Sequence, residues 1–135
     1  MGAWDVGAFD NDEAIDWVSD LIEQDDPALI TGVIQSIVRL GESEEYLEAD
    51  LCNEAIAAME VLAALKGSSA PDFPEEVQEW VSRHSPPSPD LVKLALQALH
   101  FIRTDSELKE LWQETDYFAD WNAFLDELEN RLKSE

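Results

Sequence analysis

Hydrophobic positions recur along this chain at i, i+3, i+4 and i+7 almost without interruption, the spacing of one face of an α-helix. The first stripe is Ala14, Trp17, Val18, Leu21 and Ile22. Asp10 or Asn11 precedes it, where a short polar side chain accepts from the free N–H groups of a first turn. Asp26-Pro27 opens a second helix as a cap followed by proline at the first helical position. Leu29, Ile30, Val33, Ile34, Ile37, Val38 and Leu40 carry that helix to an end near Gly41. A third is expected from about Tyr46 to Lys66, with Gly67 as its stop. Its apolar positions (Leu47, Leu51, Cys52, Ala55, Ile56, Ala58, Met59, Leu62, Ala63 and Leu65) cover about half the circumference. Helices apolar over so wide an arc belong at the centre, so the second and third are expected there.

Gly67 to Pro74 reads as a loop, followed by a short helix around Glu75 to Arg83 with Val77, Trp80 and Val81. His84-Ser85-Pro86-Pro87 breaks it, and Ser88-Pro89 starts another helix to about Arg103. Asp105 or Ser106 caps a helix through Leu108, Leu111 and Trp112, and a last helix runs from Tyr117 to about Leu132. That last helix places Trp121, Phe124, Leu125, Leu128 and Leu132 on one narrow face. Alternating strand patterns and repeats of fixed period are absent from the sequence. The fold class expected is all-α, with residues 1–135 forming a single helical domain of six or seven helices. An ordered N-terminal segment completes it, in which Trp4 and Phe9 fold back as anchors beside Trp17.

The opening, Met1-Gly2-Ala3-Trp4-Asp5-Val6-Gly7-Ala8-Phe9-Asp10-Asn11-Asp12, resembles a bacterial family known as domain of unknown function 4259. Its members typically begin Met-Gly-Ala/Thr-Trp-Gly-x-Gly-x-Phe-Asp-Asn-Asp and run into an amphipathic helix. The likeness continues through Ser106-Glu107-Leu108-Lys109-Glu110-Leu111-Trp112 and the final helix with Trp121 and Leu128. Asp5 stands where that family usually has glycine, so a different turn is expected there. The resemblance implies a fold and no activity.

A chain of 135 residues has the size of one domain and buries roughly 68% of its unfolded surface. Its 45% hydrophobic content suffices for a core, so the acidity does not signal disorder. No apolar run approaches the roughly 20 residues of a membrane span, and no basic-then-apolar start marks a signal peptide. Met1-Gly2 suggests myristoylation, but Val6 occupies the position where that signal has Ser or Thr. Cys52 is the single cysteine, which excludes an internal disulfide. The expected location is cytoplasmic.

Charge changes the picture most. Thirty-one acids face eight bases, a net charge of −23. Such a field repels nucleic acid and anionic membrane, whose binding relies on basic groups that displace counterions. It attracts basic proteins and speeds encounter with them. Solvation, or adaptation to high salt, accounts for the same composition.

Candidate chemistry is thin. Asp10-Asn11-Asp12 with Asp16 suggests a calcium loop, but an EF-hand begun at Asp10 requires an acid or amide at Ala14, glycine at Ile15 and glutamate at Leu21. Acids in a first helical turn are explained by capping and by the helix dipole. His100 falls opposite the apolar stripe of its helix and should face solvent, while His84 sits where a C-terminal cap is the ordinary role. Cys52 shares an apolar arc with Met59 and Ala63, so burial and inertness are expected. Gly2 and Gly7 are followed by no Gly-Lys-Ser/Thr, which excludes a phosphate loop. Carboxylate pairs are too numerous to be specific. Trp17, Trp80, Trp112 and Trp121 lie on apolar stripes and read as core.

One feature stands out from solvation. Asp12, Asp16, Asp20 and Glu23 share one face of the first helix, and no lysine or arginine precedes Arg39. Like charges at i, i+4 each cost roughly 0.2–0.5 kcal/mol. A basic partner surface explains why that cost is tolerated, and so does high salt. The expectation is therefore a non-catalytic protein-binding module, immunity- or inhibitor-like, that engages a basic partner and uses no metal or cofactor. The alternatives are an enzyme joining carboxylates to a metal, with three or four acids converging in a cleft, and a salt-adapted domain with a small-molecule role.

Overall fold

Ala49–Leu65 (α3) is where the fold is decided. Ala55, Ala57, Ala58, Ala63 and Ala64 alternate with Cys52, Ile56, Met59, Val61 and Leu62, and all are buried. Alanine is the strongest helix former and lets neighbours approach closely, so a helix can be surrounded on every side. The computed structural model describes residues 7–69 and 73–134, and in it α3 touches all six other helices. Around it lie α1 (Asp12–Gln24), α2 (Ala28–Glu42), α4 (Glu75–Ser82), α5 (Pro89–Thr104), α6 (Glu107–Gln113) and α7 (Phe118–Lys133). Helices α1 and α4 pack together on one flank, α2 with α5 on another, and α6 with α7 on a third. A single hydrophobic cluster draws on all seven helices and includes Trp17, Trp80, Trp112 and Trp121. The protein is all-α, with no strand among the described residues, as the periodicity predicts.

Most helix ends follow their local chemistry. Asn11 caps α1 and accepts from Ala14 N at 2.8 Å. Ser88 caps α5 with Pro89 in its first turn. Ser106, itself buried, caps α6 by accepting from Lys109 N at 3.1 Å while donating to Ile102 O at 2.7 Å. Past α3, Gly67 (φ 94°) is the expected stop. Its N–H donates to Ala64 O, and that of Ser68 to Ala63 O, both at 2.9 Å, the paired bonds of a Schellman turn.

Four boundaries differ from the sequence reading. Helix α3 begins at Ala49 rather than Tyr46, because Leu47 turns into the core at 2% exposure. Leu47 O accepts from Glu107 N at 2.9 Å, and the Glu107 carboxylate accepts from Ala49 N at 2.7 Å. The start of α3 is thus capped by a residue of α6. Helix α2 starts at Ala28, with Pro27 just outside it, although Asp26 Oδ1 still accepts from Ala28 N at 3.0 Å. The last helix begins at Phe118 and continues to Lys133.

The fourth difference concerns Gly41. It does not end α2, which continues to Glu42 and closes in a second Schellman turn, Glu44 N to Gly41 O and Glu45 N to Leu40 O. The residue in the left-handed region is Glu44, at φ 56°, a conformation that disfavours any residue with a Cβ. Glu44 is exposed, so replacing it removes strain without touching the core. Glu44→Gly is expected to gain about 1 kcal/mol in urea unfolding, and a loss would show that its side chain is engaged.

Candidate functional site

The acidic helix α1 is set in place from both ends. At its start Gly7 N donates to Asp10 Oδ2 at 3.1 Å and Asp10 N donates to Gly7 O at 3.2 Å, a tight turn ahead of the Asn11 cap. A Cβ on Gly7 would lie 2.3 Å from Asp10 Oδ2, so a larger residue there displaces the Asp10 carboxylate from this bond. At its end Asp25 accepts from Trp80 Nε1 at 2.9 Å and lies 3.1 Å from His84 Nε2. His84 stacks on the Trp80 indole at 3.8 Å, and its Nδ1 sits 2.7 Å from Trp80 O. His84 therefore caps α4, as its position suggested, and also joins α4 to α1. His100 is exposed, as expected.

With about 100° between successive residues, α1 presents three surfaces beside its buried stripe of Ala14, Trp17, Val18 and Leu21. Asp12, Asp16 and Glu23 form an outer crest. Ile15, Ser19 and Ile22 lie on one side of it, and Glu13 and Asp20 on the other. All four acids singled out from sequence, Asp12, Asp16, Asp20 and Glu23, are exposed. They do not act as one strip, because Asp20 leans toward α3 and Glu23 borders a groove.

On the α3 side the carboxylates crowd. Glu13 lies within hydrogen-bonding reach of Asp50, which raises its pKa above the ordinary 4.5 more than burial or the charges of Asp50 and Asp12 do. Glu54 is also raised, first by burial and then by Asp50, Glu13 and Asp20. Glu13 Oε2 is buried without a hydrogen-bond partner. An ionised Glu13 offers Asp50 no donor, and a proton bound on Glu13 supplies one. The stability linked to these raised groups is complete below about pH 4.5 and is lost as the pH rises through their raised values. Glu13→Gln supplies a permanent donor. It is expected to stabilise the protein by about 1 kcal/mol at pH 7, roughly 4 °C in melting temperature. The advantage should vanish near pH 4. An equal gain at both pH values would show that the amide does not stand in for a proton on Glu13.

On the opposite side Phe9, Ile15, Val18, Ile22 and Pro74 line an open groove of about 300 Å³ between α1 and the start of α4. Ile15, 42% exposed, extends the apolar lining outward from Val18 and Ile22. Glu23 and Glu76 edge the groove, and Glu75, Glu76 and Glu79 line the hollow beyond Pro74. No lysine or arginine occurs within α1 or α4. Arg83 caps the far end of α4, and several other cations are engaged elsewhere: Arg103 with Asp126, Arg131 with Glu60 and Glu127, and Lys133 with Glu129. Lys66 donates to Ser134 O at 2.6 Å and to Leu132 O, closing the end of α7.

Of the expected anchors, Trp17 is buried at 8% exposure. Phe9 is half-buried, packs edge-on against Phe73 at 5.6 Å and lines the groove. Trp4 lies outside the described residues. Cys52 is fully buried, and burial pushes its thiol up to about 12, so it is no nucleophile at neutral pH. Among the described residues, no group of three or more His, Cys, Asp or Glu is placed to hold a metal, and no helix is long and apolar enough to cross a membrane.

The groove and the Glu13–Asp50–Glu54 cluster were missed from sequence. Ile15, one step off the stripe of α1 and too apolar for its position, was the available signal for the groove. No curated protein and no solved structure matches the chain. The model of the family described as Domain of unknown function (DUF4259) matches residues 2–123, and the chain belongs to that family.

Proposed function

We propose that this protein is a non-catalytic binding module whose α1 and α4 carboxylates engage a basic protein surface, in the manner of an immunity or inhibitor protein. A nucleic-acid-handling enzyme, whose groove is basic, is the kind of partner that such a face complements. The observation that carries the reading is the exposure of Asp12, Asp16, Asp20 and Glu23 on one helix with no cation in that helix or in α4. All four are exposed and do not converge inside a cleft, which supports a surface that meets a partner.

Affinity capture from native cell lysate at low salt tests it, with the full chain and Asp16→Lys/Asp20→Lys/Glu23→Lys as paired baits. These residues make no core contact, and exposed charge changes are usually within about 0.5 kcal/mol each, so the variant should fold. A basic protein retained by the wild type and absent from the variant is the expected result. Identical retention on both baits would overturn the reading.

A further inference from the structure

We infer that the groove between α1 and α4 is a docking site for a short amphipathic helix of a basic partner, which seats one or two aliphatic side chains on Ile15, Val18 and Pro74. The inference rests on the binding reading above and names the recognition element that it takes. Ile15 at 42% exposure joins half-buried Phe9 and Ile22 in one continuous apolar lining, which a partner's aliphatic side chains can cover. A volume of about 300 Å³ matches the lower end of sites that bury a guest, enough for side chains spaced i, i+4 on a helix. The rim chooses the sign of the guest. Glu23 and Glu76 edge the apolar floor, and Glu75 and Glu79 extend the negative surface past Pro74. Lysines or arginines flanking the guest's apolar pair would face carboxylates on both sides. An acidic or neutral helix would meet repulsion or nothing, so charge supplies the selection and the groove supplies the seat.

The probe is a synthetic helical peptide of leucine and lysine in amphipathic order, with a second peptide of equal charge in which serine replaces leucine. Both are titrated calorimetrically into the full chain at low salt. The leucine peptide is expected to bind at least tenfold more tightly than the serine peptide. Ile15→Ser should erase that difference and leave serine-peptide binding unchanged. Glu23→Lys/Glu76→Lys should weaken both. Equal binding of the two peptides by the wild type, lost at high salt, would overturn the groove and leave the basic-partner reading standing. No binding of either would overturn both. A tenfold gain for the leucine peptide on Trp4→Ala would assign the groove to the chain's own N-terminus and overturn docking of a foreign helix.

Discussion

Arg131→Met is expected to lower the unfolding free energy by about 3–5 kcal/mol, the loss typical of a buried charge left without its partner. Glu60 sits in the middle of α3 at 1% exposure. Arg131, from α7, donates to both of its carboxylate oxygens, through Nη2 to Oε2 at 3.0 Å and through Nη1 to Oε1. The same guanidinium reaches Glu127 Oε1 at 3.0 Å and Ser68 O at 3.2 Å, so one side chain ties α7 to α3 and to the turn that ends α3. Removing it takes the guanidinium away from a core carboxylate, and the expected loss is a large fraction of the roughly 5–15 kcal/mol that holds a typical domain together. The double variant Glu60→Met/Arg131→Met is expected to recover most of the loss, because apolar pairs often replace buried ion pairs without cost. Urea unfolding of the three proteins decides it. A single variant that loses less than about 1 kcal/mol, the worth of an exposed pair, would show that Glu60 is hydrated.

The two glycines of α2 should respond to alanine with opposite signs. A Cβ on Gly32 meets nothing within 4 Å, so Gly32→Ala simply exchanges a poor helix former for the best one and should stabilise by about 0.8–1 kcal/mol. A Cβ on Gly41 would lie 2.5–2.6 Å from Cγ, Cδ1 and Cδ2 of Phe101. Those atoms form the near end of the ring, which cannot swing away without a change of rotamer. Overpacking of this kind costs typically about 1–3 kcal/mol, against the same helical gain, so Gly41→Ala should come out net destabilising. Gly41 is what lets α5 lie close on α2. Equal gains at both positions, measured as melting temperatures, would mean that this contact yields freely.

The contrast at Gly41 shows where reading the sequence stops. Glycine after an apolar stripe signals a helix end, and at Gly67 it is one. At Gly41 the same residue answers to Phe101, sixty positions away, a contact no local pattern reveals. The helices themselves were legible because their stripes, Ser88-Pro89 and Ser106 act within a few residues. Glu60 was legible in a weaker sense: one charge inside Ala57-Ala58-Met59-Glu60-Val61-Leu62 demands a partner, but nothing in the sequence names Arg131. The candidate site divides the same way. Exposure of Asp12, Asp16, Asp20 and Glu23 follows from helical phase alone. The crowding of Glu13 against Asp50 and Glu54, and the groove completed by Pro74, arise only when α3 and α4 pack against α1.

The most direct test of a partner-binding acidic helix is the association rate of the captured basic protein as salt is raised. The comparison sets the full chain beside Asp16→Lys/Asp20→Lys/Glu23→Lys. A control makes the same change of charge at Glu114, Asp116 and Asp120, which are exposed near the junction of α6 and α7. Charges that face the partner steer encounter and are screened over about 10 Å at 0.1 M salt. The account predicts that the α1 variant associates at least tenfold more slowly than wild type at low salt. It also predicts that the control loses far less, and that all three rates converge as salt approaches 1 M. Equal slowing by the α1 variant and the control would show that only net charge matters and would contradict a binding face on α1.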